Sequence, residues 1–497
     1  MTSRIHPCSI ARTALALAVA TVALSAASRT LPAQTLATVT PSHVRGILSA
    51  LADDSMEGRG TGTAGSMRAA KFIAGEMKAA GLVAAGDSGY FQHVPMVHRM
   101  FDAASTIEVH GTTLHALTDF VASPPRGGAV RSIDGVPVIY GGVAGDTANP
   151  LSADMVRGKL VILSAAANGG RGRGRGRGGF GGAGALSEAA GVATIAGDAL
   201  PANLVQSATA KPGAILVKDP NAPVGDSVAQ TLTITTAAAQ AILGTPVGLA
   251  AKGMMGQSVR GGARFIDTPA LGGNVVGIIP GVDPALKDDV VLVDAHYDHL
   301  GIRTPATPGA DSIYNGADDD GSGTTAVLEI ARVIKAGPAP KRTLVFITTT
   351  GEEVGLLGTN WYIAHPVRPL SAMVANLEIE MIARPDSLAG GPGRAWLTGF
   401  ERSTMGQMFA NAGLPIVPDK RPEQQFFQRS DNIAFARMGI PAHTLSTFNL
   451  HDDYHRPSDE ISKVDFDHMA GVINAAVKAV ELLANGPKPV WNAGGRP

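Results

Sequence analysis

Carboxylate and imidazole side chains recur at short intervals in the second half of this 497-residue chain. His296 and Asp298 follow the apolar run 290–293, and adjacent aspartates occupy positions 318–320. Adjacent carboxylates repel one another, and a bound cation is the readiest way to hold them together. The aspartates also fit a solvated turn at the start of a helix, because an apolar-periodic segment follows them.

Two further pairs of acids accompany apolar runs. Glu352 and Glu353 follow one such run, and Glu378 and Glu380 lie inside the run 373–381. Neighbouring side chains point in different directions, so one glutamate of the first pair could hold a metal while the other faces a water. Residues two apart in a strand share a face, and a buried carboxylate is unfavourable unless it is paired or bound to a metal. The structural alternatives are acids that favour a helix dipole and a strand edge open to water.

A loop before the last predicted helix, residues 451–459, contains His451 and His455 together with three acids. Pro457 and Ser458 mark irregular backbone, so these side chains could turn toward a common point. Each histidine taken alone also fits a structural role. Together with the acids upstream, oxygen and imidazole donors at successive loops, without any thiolate, indicate a hydrolytic pair of zinc ions.

The elements that must position these residues alternate between strands and helices from residue 274 onward. Apolar runs predict strands, and helical periodicity predicts helices that begin near 322 and 354. This alternation predicts an α/β fold, a mostly parallel mixed sheet flanked by helices, whose strand ends carry the chemistry. The predicted strands are 275–279, 290–293, 343–348, 373–381, 395–398 and 442–446, and the later helices are 404–412 and 466–483.

The first half of the chain is organised differently. Helical periodicity between 41 and 81 is interrupted by a Gly-Arg-Gly-Thr-Gly turn at 58–62. No strand precedes this turn and no Lys-Ser/Thr follows it, so it is interpreted as a structural connection and not as a phosphate-binding loop. From 105 to 265, short β-like runs separated by turn residues predict a small β-rich domain inserted into another domain.

The N-terminal residues predict an exported protein. Basic residues precede the apolar run 14–24, and small residues follow it, as in a signal peptide spanning 1–33. The run is too short to span a bilayer, and a retained amphipathic anchor is the alternative. The single cysteine, Cys8, would leave with the signal, so the mature protein would contain neither disulfides nor cysteine ligands.

Two segments have compositions that do not support a packed core. The Arg-Gly run 169–182 could bind RNA, with Phe180 stacking on a base, but its glycine density favours a disordered surface loop. The tail 486–497, rich in Gly and Pro, is also predicted to be disordered. Because the net charge is −1 and exported proteins rarely meet RNA, we expect no nucleic-acid partner and no stable membrane insertion.

Four motifs resemble the co-catalytic zinc aminopeptidases of peptidase family M28. They are DAHYD at 294–298, GADDDGSG at 316–323, GEEVGLLG at 351–358 and DYHRPSD at 453–459. Their order and spacing are similar to those of the family from 274 to about 483. Segment 426–441 and the turn at 58–62 also resemble the family, and the insert resembles a protease-associated domain.

The resemblance implies a set of metal ligands. His296 and Glu380 would bind one zinc ion, and Glu353 and His455 would bind the other. Asp319, the middle aspartate of its triplet, would bridge the two ions. Glu380 stands where the family more often has Asp, which keeps the type of ligand but lengthens its arm.

The resemblance also implies roles for residues that do not bind metal. Glu352 would be the general base that takes a proton from the attacking water. Asp298 would orient His296, and Tyr454 could donate a hydrogen bond to the tetrahedral oxyanion.

The implied function is that of an exported exopeptidase with two zinc ions per chain, most simply an aminopeptidase acting on peptides. A carboxypeptidase, a dipeptidase or a cyclase of N-terminal glutamine on the same fold are alternatives within enzymes. A non-catalytic, receptor-like binding protein is the alternative from another class, but such a protein would be expected to lack ligands. The implied domains are a signal peptide (1–33), an N-terminal part of the peptidase domain (34–104), the insert (105–265), the catalytic domain (266–485) and the tail (486–497). No sequence feature indicates an oligomeric state.

Overall fold

The computed structural model describes residues 1–2, 38–125, 129–166, 184–210, 213–219, 227–305 and 307–497. The predicted signal peptide beyond residue 2 and the Arg-Gly run 169–182 lie outside the described residues. Among the helices that are described, none combines the length and the apolar character that crossing a membrane requires.

Two helices begin the described chain, α1 (Pro41–Leu51) and α2 (Ala64–Ala79). Thr40 and Thr63 cap them, because each hydroxyl accepts a hydrogen bond from the backbone N–H three residues later. The segment that joins the two helices contains the Gly-Arg-Gly-Thr-Gly turn at 58–62.

The β-rich insert follows two short strands, β1 (Val83–Ala84) and β2 (Phe91–His93). The insert contains β3 (Met96–Phe101), β4 (Thr106–Val109), β5 (Thr112–His115), β6 (Phe120–Ser123), β7 (Ala129–Val130), β8 (Val138–Val143), α3 (Ala153–Val156), β9 (Leu160–Ser164), β10 (Gly191–Gly197), α4 (Ala202–Thr209), β11 (Ala214–Val217), β12 (Ser227–Val228), β13 (Gln230–Thr235), α5 (Thr236–Leu243), β14 (Arg260–Gly262) and β15 (Phe265–Pro269). Five of its strands form a sheet in the order β6-β13-β10-β9-β8, which covers an apolar core separate from that of the large sheet. Strands β3 and β15 pair antiparallel, so the two ends of the insert lie side by side, with Pro269 opposite Val97.

The remaining elements build most of a nine-stranded sheet. They are β16 (Gly273–Ile279), β17 (Val290–His296), β18 (Gly301–Ile302), β19 (Ile313–Tyr314), α6 (Gly323–Ala336), β20 (Thr343–Thr349), α7 (Leu357–Ala364), β21 (Met373–Ile379), β22 (Ala395–Leu397), α8 (Thr404–Asn411), β23 (Ile416–Pro418), α9 (Asn432–Arg437), β24 (Ala442–Ser446) and α10 (Phe466–Asn485). The sheet has the order β1-β16-β20-β17-β21-β24-β22-β23, and β2 also pairs with β16. The two short strands β18 and β19 pair with each other outside it.

The centre of the sheet is parallel. Strands β20, β17, β21 and β24 pair in parallel, whereas β16 and β22 flank them antiparallel. Every residue of β17, β20 and β21 is buried, because apolar layers cover both faces of the sheet. Helices α1, α2, α6, α8 and α10 contribute to the layer on one face, and α7 and α9 contribute to the layer on the other. The predicted α/β architecture, a mixed sheet flanked by helices, is confirmed.

Residues 486–497 are packed, which corrects the prediction of a disordered tail. The indole N–H of Trp491 donates a hydrogen bond of 2.9 Å to the carbonyl of Gly439. Its ring lies 5.6 Å from the ring of His443 and 6.4 Å from that of Phe427, measured between centroids. A single aromatic side chain supplies enough contact area to dock a segment whose Gly and Pro content suggests a free chain.

Replacing Trp491 by Ala should lower the free energy of unfolding by about 2 kcal/mol, because the variant loses both ring contacts and a hydrogen bond. Urea denaturation measures this change. Replacement of the neighbouring, exposed Val490 by Ala is the matched control and should leave the midpoint unchanged. Equal midpoints for the two variants would contradict the docked tail.

Candidate metal centre

The parallel strands bring the predicted site residues to one edge of the sheet. His296 is the last residue of β17, and Glu352 and Glu353 follow the end of β20. Glu380 immediately follows β21, and the loop that carries His455 follows β24. The carboxyl ends of neighbouring parallel strands lie side by side, so residues far apart in sequence converge there.

The carboxylate of Asp319 lies between two groups of donors. Its Oδ1 is 3.4 Å from Nε2 of His296, which in turn lies 4.0 Å from Oε1 of Glu380. Its Oδ2 is 3.1 Å from Nε2 of His455, and that nitrogen lies 3.2 Å from Oε1 of Glu353. All five residues predicted as metal ligands therefore meet, with Asp319 shared between the two groups.

Backbone hydrogen bonds explain why the middle aspartate is the shared one. Asp318 accepts a hydrogen bond of 2.9 Å from the N–H of Ala383, and Asp320 accepts one of 3.0 Å from the N–H of Met381. Both aspartates thus hold the segment that follows β21. Asp319 does not share these contacts, and its two oxygens face the two donor groups.

Asp298 contacts His296 through its backbone. Nδ1 of His296 lies 3.1 Å from the carbonyl oxygen of Asp298 but 3.9 Å from its carboxylate. The carboxylate instead accepts hydrogen bonds from the hydroxyl of Thr61 at 2.6 Å and from the N–H of Glu352 at 3.1 Å. The carboxylate of Asp298 therefore positions the backbone of Glu352, and its carbonyl oxygen orients the ring of His296.

Burial and charge make the two neighbouring glutamates different. Glu352 is buried, and this burial, together with the negative charge of Glu353 and Asp431, raises the pKa of Glu352 well above its usual range. Burial would also raise the pKa of Glu353, but hydrogen bonds from His299 and His455 hold it well below its usual range. Glu353 is thus suited to hold a cation, whereas Glu352 is suited to accept and hold a proton.

Tyr454 lies beside the centre. Its ring stacks on that of His455, with centroids 3.9 Å apart and planes at 22°. Burial and the carboxylates of Asp319 and Glu353 raise the pKa of its hydroxyl above the usual value, so the group stays protonated. A protonated phenol next to the donor groups can donate a hydrogen bond to a bound substrate.

His299 also belongs to the cluster, although it is absent from the predicted site. Its Nδ1 lies 2.9 Å from Oε1 of Glu353 and 3.8 Å from Oδ2 of Asp319. His299, Asp319 and Glu353 form one of two groups that could hold a metal ion, and His296, Asp319 and Glu380 form the other. The signal in the sequence is its position in the loop after β17, shortly after His296.

Glu378 has a different role from Glu380, and the predicted strand 373–381 ends between them, since β21 stops at Ile379. Its carboxylate is fully buried and accepts hydrogen bonds from the N–H groups of Asp431 and Asn432 at 3.0 and 2.9 Å. The hydroxyls of Ser430 and Thr444 also donate to it. These bonds hold the backbone at the start of α9 against β21, so Glu378 has a structural role.

The donor set fits divalent metal ions. Nε2 of His296, which faces Asp319 and Glu380, is buried and makes no hydrogen bond within the described part of the chain. A buried ring nitrogen without a partner is unfavourable, and a metal ion satisfies it. The donors are imidazole nitrogens and carboxylate oxygens, the combination found in hydrolytic zinc sites.

Comparison with known proteins identifies the domain that carries this centre. Residues 274–480 match the profile of peptidase family M28. This part of the chain is an M28 peptidase domain. The match confirms the resemblance inferred from the motifs, whereas the likeness of the insert to a protease-associated domain stays a prediction.

Curated relatives are similar to part of this chain. Aminopeptidase YwaD of Bacillus subtilis (strain 168) is 29% identical over 211 residues, which cover 41% of this chain and 43% of that protein. Leupeptin-inactivating enzyme 1 of Streptomyces exfoliatus is 31% identical over 181 residues, which cover 36% of each. The match thus spans less than half the length of each relative. An aminopeptidase from Aneurinibacillus sp. strain AM-1 has a similar structure, with a TM-score of 0.47, 18% identity, and coverage of 91% of this chain and 96% of that chain.

Stability of the M28 domain without metal should depend on pH through His455. Burial would lower the pKa of His455, but hydrogen bonds to Asp319 and Glu353 raise it from 6.5 to about 9. Protonated His455 therefore stabilises the folded, metal-free protein fully below pH 6.5, and this contribution is lost as the pH rises to about 9. We expect the free energy of unfolding, measured with urea after metal removal, to fall across this window.

The variant His455→Gln should show a smaller fall over the same window, and the difference between the two proteins isolates His455. Replacement of the exposed His115 in the insert is the control and should keep the wild-type dependence. An unchanged slope for His455→Gln would contradict the inferred protonation.

Proposed function

We propose that this protein is an exported zinc aminopeptidase that uses two metal ions per chain to release N-terminal residues from peptides. One observation carries the proposal. The two carboxylate oxygens of Asp319 face two separate groups of nitrogen and oxygen donors, which is the arrangement that a pair of bridged ions requires.

These contacts support the ligands that the sequence predicts, and His299 lies beside the second group as a further donor. His296 and Glu380 would hold one zinc ion, Glu353 and His455 the other, and Asp319 both. Bound zinc supplies Lewis acidity toward the scissile carbonyl and lowers the pKa of water.

The side chains around the ligands would move protons and stabilise charge. Glu352 would accept the proton of the attacking water and deliver it to the leaving amine, and its raised pKa suits both steps. Asp298 keeps Glu352 in place through the backbone N–H. The protonated hydroxyl of Tyr454 would donate a hydrogen bond to the oxyanion that develops on the substrate.

The choice of an aminopeptidase over other exopeptidases comes from relatives. Aminopeptidase YwaD is 29% identical to this chain over 211 residues, and its name specifies an aminopeptidase. Export is proposed because the sequence of residues 1–33 has the basic, apolar and small-residue order of a signal peptide.

Replacing Glu352 by Gln should lower kcat about 100- to 10,000-fold and leave the bound metal unchanged, because the variant loses the proton acceptor but no ligand. Steady-state kinetics and elemental analysis of the same sample measure the two quantities. The exposed Glu401, changed to Gln, is the control and should keep wild-type kcat. Near-normal turnover by the Glu352 variant would overturn the assigned base.

The substrate class can be tested with matched peptides that carry a free amino end, a blocked amino end or an N-terminal glutamine. We expect release only from the free amino end, and we expect a chelator to abolish it until zinc is restored. Release from the carboxyl end, cleavage of dipeptides alone, or cyclisation of glutamine would each replace the aminopeptidase proposal. Metal binding without any turnover would favour a binding protein.

A further inference from the structure

We infer that Arg59 and Thr61, in the Gly-Arg-Gly-Thr-Gly turn at 58–62, are positioning residues that hold the metal-binding loops in place. The inference rests on the proposed function, because it concerns the same centre. It changes the interpretation of this turn from a connection between two helices to a part of the site.

Arg59 joins three segments through its guanidinium group. The side chain is completely buried, and it donates hydrogen bonds to the carbonyl oxygens of Tyr297 at 2.7 Å and Gly316 at 2.8 Å. It also donates to the carbonyls of Asn315 at 2.6 Å and Leu51 at 2.8 Å. A guanidinium group spreads five N–H donors over three nitrogens in a fixed plane, whereas a lysine ammonium has three donors on a single nitrogen.

The positions of these carbonyls connect Arg59 to the ligands. Tyr297 directly follows His296, and Gly316 lies shortly before the aspartate triplet that contains Asp319. No described carboxylate forms an ion pair with Arg59, so its hydrogen bonds are directed to backbone groups. Arg59 therefore holds together the two loops that contribute the first ligand and the bridging ligand.

The backbone of the turn lies against the same loops. The N–H of His299 donates a hydrogen bond of 3.2 Å to the carbonyl of Arg59, and Gly60 forms a parallel bridge with His299. A Cβ atom on Gly58 would lie 2.9 Å from the carbonyl oxygen of Gly301 and would also clash with that of Tyr314. Only glycine permits this close approach at a positive φ of 59°.

Thr61 connects the turn to the proposed general base. Its hydroxyl donates to one carboxylate oxygen of Asp298, and the other oxygen accepts the N–H of Glu352. Loss of the threonine hydroxyl would leave a buried carboxylate with one fewer donor, so the carboxylate would be free to move. The turn thus reaches both the ligand loops and Glu352.

A purely electrostatic role for Arg59 predicts the opposite effect on metal binding. Arg59 lies within electrostatic reach of Asp320, Asp319, Asp459 and Asp298, and a positive charge near a cation site weakens cation binding. Removing that charge alone would tighten metal binding. If Arg59 instead positions the ligand loops, its replacement should weaken metal binding, because the loops would lose the side chain that holds them together.

The test measures the affinity of the full chain for zinc, by competition with a chromogenic chelator, in three variants. Arg59→Met removes the charge and the fork, Arg59→Lys keeps only the charge, and Thr61→Val removes one hydroxyl at nearly constant volume. We expect each variant to bind zinc about 10- to 100-fold more weakly than the wild type. We also expect faster amide hydrogen exchange in 297–301 and 315–322 of the metal-free Arg59 variants.

Arg342→Met is the matched control. Arg342 is also buried and donates to the carbonyls of Leu483 and Gly486, but it lies at the opposite end of β20 from the centre. This variant should lose thermal stability and keep wild-type zinc affinity. A similar loss of affinity in Arg342→Met would reduce the effect at Arg59 to general destabilisation and overturn the inference.

Other outcomes are also decisive. Wild-type or tighter zinc binding by Arg59→Met or Arg59→Lys would overturn the inference. If the Arg59 variants do not fold, Thr61→Val decides, and unchanged zinc affinity in that variant would overturn it. The two proposals can also fail separately. If these variants bind zinc more weakly but the wild-type protein releases no N-terminal residues from peptides, the inference is supported and the proposed function fails.

Discussion

The structure depends on holding many carboxylates close together in a buried place. Repulsion between them would open the site unless each acid had its own donors or a shared cation. Asp318 and Asp320 meet this requirement with backbone N–H groups, and Glu378 does so with N–H and hydroxyl donors. Asp319 is the exception, because histidine nitrogens face both of its oxygens. The negative charge of Asp319 is therefore the one that a metal ion at the centre would neutralise.

The parallel centre of the sheet makes this concentration of charge possible. Four parallel strands end at one edge, and each is followed by a loop that supplies a donor or an anchor. Because apolar layers cover both faces, the strands are rigid, and the donors can be held within a few ångströms of one another. The insert lies between β2 and β16 in the sequence, so it does not interrupt the four parallel strands.

Two buried arginines, Arg59 and Arg342, hold backbone segments together at different places in the fold. Arg59 and Arg342 both donate to backbone carbonyls, but Arg342 also pairs with Asp289 at 3.1 Å, whereas the donors of Arg59 reach carbonyls alone. The acids near Arg59 instead act at longer range. A positive charge beside the aspartates reduces their mutual repulsion, and the fork aligns the loops that carry them.

Local patterns in the sequence determined most of the elements and donors. Strand 442–446 has the predicted bounds, and the five residues predicted as ligands do converge, because apolar periodicity and acids at strand ends are properties of short segments. His299, the reach of Arg59 and the docking of Trp491 were not predicted from these patterns. Each depends on contacts between residues far apart in the chain, and only the register of the sheet and the paths of the loops decide which atoms meet. The sequence by itself therefore determined which groups could bind metal, and the tertiary structure decided which groups hold them in place.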